Sequence, residues 1–139
     1  MSFREKSAWI TLVTVLLCFG VYFGAMGLGL IPTQGFMTVH LLLVCLAALI
    51  ILQVVLRIIT ARLAPEDARS PKDEREELIE LRAMRIGYYF LAISAFACGL
   101  LLHLGKTSAV ELMNFVLLAI VTSVVAVSLA QIIQFRRGV

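Results

Sequence analysis

Two imidazoles, one carboxylate and a set of thioethers are the groups in this chain best suited to chemistry. His40, His103 and Glu111 stand close to the ends of apolar runs, and Met26, Met37, Met113 and the amide of Asn114 occupy comparable positions. Imidazoles with a carboxylate and soft thioethers suit a transition metal, and two imidazoles alone suit the axial positions of a haem. Neither histidine has a sequence partner at metal-ligand spacing, so such a site depends on the fold bringing distant residues together. The plainer reading is that both are amphipathic boundary residues and that Glu111 caps a helix through its place near an N-terminus. Cys18, Cys45 and Cys98 sit singly in apolar runs, with no Cys-x-x-Cys pair and no adjacent acid or base to hold a thiolate. That pattern marks packing residues and argues against thiol redox chemistry.

The elements that must position these residues follow from composition. Of 139 residues, 61% are hydrophobic and only 15% charged, and the mean hydropathy is +1.00. A soluble chain is about half apolar and about a quarter charged, so a soluble enzyme, a disordered tail and a disulfide scaffold are all excluded. The basic residues are dispersed among acids rather than gathered with stacking aromatics, so nucleic acid is not an expected partner. The partner implied instead is a lipid bilayer.

Four apolar runs are read as helical spans, over about 8–31, 36–61, 86–104 and 111–135, within a single domain of residues 1–139. About 20 helical residues cross a hydrocarbon core of about 30 Å, and only helices satisfy the backbone there at this length and apolarity. Between the second and third spans, residues 62–85 carry six basic and seven acidic residues, a segment in water. The fold class is therefore an all-α integral membrane protein of four transmembrane helices. Eleven of the twelve Lys and Arg fall at the N-terminus, in the central segment and at the C-terminus, against Lys106 alone on the other side. The positive-inside rule places both termini and the central segment in the cytoplasm. A shift of 74 residues aligns Ile58, Ile59 and Arg62 with Ile132, Ile133 and Arg136, as a duplicated two-helix hairpin would; chance similarity between apolar helices explains it equally well.

Lipid removes the hydrophobic drive for helices to associate, leaving close packing of small residues and interhelical hydrogen bonds. Gly20, Gly24 and Gly27 give the first span a smooth face with a Gly-x-x-x-Gly step, and Ala95 with Gly99 gives the third a similar one. The expectation is that these two spans form the central pair and that Gly24→Leu lowers stability in detergent or weakens self-association. Gln53 is the most polar residue well inside a span and needs a partner, either a hydroxyl on a neighbouring helix or its own counterpart in a homodimer.

The central segment offers a helix start. Ser70 would cap, Pro71 would stand first in the helix and Asp73 would close a capping box, giving a helix from about residue 71. Acids crowd its first turns and bases its last, which suits the helix dipole. Asp73, Glu74, Arg75, Glu77, Glu80 and Arg82 are the candidate partner-binding residues of this helix; the plainer reading is a solvated extension of the third span.

The run 73–88, Asp73-Glu74-Arg75-Glu76-Glu77-Leu78-Ile79-Glu80-Leu81-Arg82-Ala83-Met84-Arg85-Ile86-Gly87-Tyr88, resembles the charged signature before the third helix of a family of small uncharacterised bacterial four-helix inner-membrane proteins. The resemblance implies a bacterial inner membrane and supplies no catalytic residue. The small multidrug transporters also have four helices in a chain of this size, but they rely on a membrane-embedded Glu in the first helix, which the run from Ala8 lacks. No span holds Asp, Glu or Lys at mid-depth, against the usual need of proton-coupled carriers. The function expected is non-enzymatic, an interaction or regulatory module acting through the charged helix without a cofactor. The alternatives are a small-ligand, metal or haem protein using His40, His103 and Glu111, and a small transporter.

Overall fold

The computed structural model describes residues 3–33, 35–63, 65, 73–105 and 107–137. Four helices form: α1 (Phe3–Gly27), α2 (Phe36–Leu63), α3 (Glu74–His103) and α4 (Ala109–Arg137). All four are long and apolar enough to cross a membrane. Helices of 25 to 30 residues are roughly 37 to 45 Å long, so each outruns a hydrocarbon core of about 30 Å. Gly105 ends α3 in the left-handed region at φ 65°, and the Gly105 N–H bonds back to Leu102 O at 3.0 Å, a stop that a side chain would strain.

The start of α3 differs from the sequence reading. Asp73 is the N-cap itself, with extended backbone at φ −72° and ψ 144° and no side-chain cap bond, rather than the third helical residue. Aspartate is as good an N-cap as serine, and Glu74, Glu76 and Glu77 then load the first turn. Ser70 and Pro71 lie outside the described residues.

The packed pairs are α3 with α4, α1 with α2, and α1 with α4, so the helices stand in the order α2, α1, α4, α3. The central pair is therefore α1 with α4, and the expected pairing of α1 with α3 is overturned. A Cβ built on Gly20, Gly24, Gly27 or Gly99 would meet nothing within 4 Å, and Ala95 is exposed. The glycine step is thus smooth but vacant within one chain. The close approach lies elsewhere: Ala83 is 0% exposed, and a Cβ on Gly87 would run into Val127 Cγ2 of α4. Ser123 on α4 donates its hydroxyl to Gly87 O at 2.8 Å. Small residues there let the two backbones meet closely enough for that bond.

Apolar packing is concentrated where three helices meet. Val15 and Phe19 of α1 lie against Val121 of α4, with Leu42, Leu46 and Leu49 of α2 closing the cluster. A second cluster, Ala8, Leu12 and Ile132 with Trp9, joins α1 to α4 nearer the termini. Because α1 begins at Phe3, it also contains Glu5, an acid that a span counted from Ala8 omits. Glu5 is 8% exposed and sits at the first turn, with Arg136 Nε 3.8 Å from its Oε1.

Arg136 also stands over the Trp9 ring at 5.6 Å from its centroid, a contact contributing about 0.5–1 kcal/mol at an accessible site. Trp9 is the chain's single tryptophan. Arg136→Ala is therefore expected to red-shift the intrinsic emission as water replaces the guanidinium, with helicity unchanged. An identical spectrum would mean that α1 and α4 do not meet at this end.

Candidate functional site

The hairpin end, where α1 turns into α2 and α3 into α4, does not assemble the metal-type residues. His40 stacks on Phe36 of its own helix, with ring centroids 6.4 Å apart, and His103 is the exposed last residue of α3. Their helices, α2 and α3, are not a packed pair. Glu111 is engaged in a capping box: its Oε2 accepts the Ser108 N–H at 2.9 Å, and Ser108 Oγ accepts the Glu111 N–H at 3.3 Å. Among the described residues no three His, Cys, Asp or Glu gather as metal ligands. Asn114 instead links helices, accepting the Tyr22 hydroxyl at 3.3 Å and donating to Thr33 O at 3.5 Å. Ser108→Ala removes the cap and is expected to lower stability by about 1 kcal/mol, read as a lower melting temperature in detergent; no change would show that the α4 terminus is held by other contacts.

The charged part of α3 is a helix continuous with the span. One side is fixed, since Ile79 is 1% exposed and Glu76 pairs with Arg4 at 3.1 Å. The other side carries Asp73, Glu74, Arg75, Glu77 and Arg82, all exposed, interleaved with exposed Leu78 and Leu81. Glu80 departs from the expected set because it is half-buried and lines a crevice instead of the open face.

All four helices contribute polar groups to that crevice, and the sequence reading missed it. It has a volume of about 240 Å³, with Arg4, Ser7 and Thr11 from α1, Arg57 from α2, Glu76 and Glu80 from α3, and Gln131 from α4. Arg57 donates to Thr11 Oγ1 at 3.1 Å, and the Thr11 hydroxyl donates to Ser7 O at 3.1 Å. One turn deeper, Gln53 Nε2 donates to Thr14 Oγ1 at 3.3 Å, while that hydroxyl donates to Ile10 O at 2.7 Å. The neighbouring-helix hydroxyl is thus the partner of Gln53. A signal was present in the sequence: Ser7, Thr11 and Thr14 recur at helical spacing, and Gln53 and Arg57 lie one turn apart. Two such stripes facing each other give a polar seam between α1 and α2.

Comparison of the chain with protein-family models, with curated proteins and with solved structures finds no match. Its class rests on its own architecture: a multi-pass membrane protein of four apolar helices.

Proposed function

We propose that this is a non-enzymatic protein of a bacterial inner membrane, with both termini cytoplasmic, that recruits or regulates a cytoplasmic protein through the open face of α3. The observation that carries this reading is the anchoring of the charged extension. Ile79 and Ala83 are fully packed while Glu74, Arg75, Glu77, Leu78, Leu81 and Arg82 stay exposed. A preorganised face of mixed charges and isolated leucines loses little entropy on docking, and its charges select a complementary partner. The vacant glycine face of α1 suits a second copy of the chain, so a homodimer belongs to the same reading.

Orientation is tested first. A reporter active only outside the cytoplasm is expected to be silent when fused at the C-terminus and active at Thr33 or Thr107; activity at the C-terminus would overturn the topology drawn from the basic residues. Docking is tested with a photo-crosslinker at Leu78. It should capture one discrete cytoplasmic protein, and the double reversal Glu77→Arg with Arg82→Glu should abolish that capture. Both sites are exposed, so reversal should change stability by less than about 0.5 kcal/mol. Capture indifferent to the reversal, or none at all, would leave this face a solvated extension.

A further inference from the structure

The polar crevice at the termini end is lined by charges of both signs. Arg57 spends one N–H on Thr11, and a guanidinium has five donors in a planar fork that matches phosphate oxygens. The carboxylates of Glu76 and Glu80, from α3, line the same crevice. Glu76 is paired with Arg4 and Glu80 is engaged as well, yet a carboxylate accepts about four hydrogen bonds, which leaves each of them acceptor capacity for a ligand. The lining side chains of Arg4, Arg57, Glu76 and Glu80 cancel in formal charge, and a purely anionic ligand would meet two acids. A ligand carrying both a phosphate and a primary ammonium satisfies both signs.

Depth decides where such a ligand comes from. The cavity runs along α1 from Arg4 to Thr11, about 10 Å at 1.5 Å per residue, starting at the water-facing end and reaching below the level of Trp9. Phe3, Ala8 and Phe135 give it apolar walls. The two helices that flank it, α2 and α3, do not form a packed pair, which leaves its side open towards surrounding lipid.

We propose that this crevice binds the headgroup of an aminophospholipid of the phosphatidylethanolamine type, with its phosphate on Arg57 and its ammonium on Glu76 and Glu80. The site faces away from the exposed charges of α3, so it stands or falls independently of partner docking. It is also independent of which way the chain crosses the membrane, because both leaflets present headgroups at this depth.

The test uses the full chain in nanodiscs of equimolar phosphatidylethanolamine, phosphatidylcholine and phosphatidylglycerol, followed by native mass spectrometry of the lipid retained on release. Phosphatidylethanolamine should outnumber each of the other two lipids in the retained pool by about five-fold, the scale of one net hydrogen bond. Arg57→Ala should remove the enrichment and Arg57→Lys should keep part of it. Glu76→Gln with Glu80→Gln should let phosphatidylcholine, whose quaternary ammonium cannot donate a hydrogen bond, bind equally well. Melting temperatures verify that each variant folds, and a single Glu80→Gln variant serves if the double one does not. Equal retention of the three lipids, preferred phosphatidylglycerol, or enrichment that survives Arg57→Ala would overturn the assignment. Soluble glycerophosphoethanolamine bound as tightly as the lipid would overturn it as well, making the ligand a water-soluble phosphoester.

Discussion

Gly87→Leu is expected to be the most damaging single substitution in the protein, costing about 3 kcal/mol or more, at the upper end of core overpacking. Even the first carbon of a side chain at residue 87 collides with Val127 Cγ2 and crowds Ser123 Oγ at 3.4 Å. Relief requires α3 and α4 to separate, which breaks the bond from Ser123 to Gly87 O in the most extensive helix pair of the fold. Unfolding by a denaturing detergent, followed by circular dichroism, should shift to far milder conditions. The control is Gly24→Leu, where a Cβ meets nothing within 4 Å. It should leave the stability of the single chain unchanged and report only on self-association. Equal damage at both positions would mean that α1, not α4, is the close neighbour of α3.

The second large effect is expected at Tyr22, 2% exposed where α1, α2 and α4 converge. Its ring meets Phe23 edge-on at 5.1 Å and its hydroxyl reaches Asn114. Tyr22→Ala should cost roughly 2–3 kcal/mol, less than in an aqueous core because the separated helices already rest in lipid and only packing contacts are lost. Tyr22→Phe isolates the hydroxyl and should cost about 1 kcal/mol. If the two variants behave alike, the ring contributes nothing and the three-helix junction is loosely packed.

These expectations show where information about the fold resides. The existence of four spans was legible because hydrocarbon thickness imposes a length on any apolar run, and four helices are found where the runs around 8–31, 36–61, 86–104 and 111–135 were proposed, although α1 stops at Gly27. Their ends were less so: α1 extends back to Phe3 and gathers Glu5, since a helix continues into water wherever its polar groups find partners, as Glu5 does in Arg136. The pairing of helices was the least legible. In lipid an apolar face looks the same whether it meets a neighbour or an acyl chain, and α2, with just Thr38 and Cys45 buried, has no stripe to betray its partner. Gly20 and Gly24 attracted notice as a motif yet remain vacant, whereas Ala83 and Gly87, small residues four apart, were hidden among Arg82, Met84 and Arg85. Their counterparts on α4, Ala119 and Ser123, show the same spacing and are both buried. Matching small pairs on two helices is a stronger sign of contact than one glycine step alone. Of the site residues, the capping role of Glu111 was readable from position, but the crevice was not, because its lining comes from the ends of four helices that sequence order keeps apart.

The three free cysteines are buried, one each on α1, α2 and α3, and none lies on α4. They amount to native reporters already distributed over the molecule. A small membrane-permeant maleimide can reach Cys18, Cys45 or Cys98 only when the helix carrying it moves off its neighbours, so peptide mapping after timed pulses would give three separate opening rates. Cys45, on the helix with the fewest buried residues, should be modified before Cys98, which rides on the most extensive pair. The sequence of labelling would therefore record the order in which the assembly comes apart, without introducing any foreign probe.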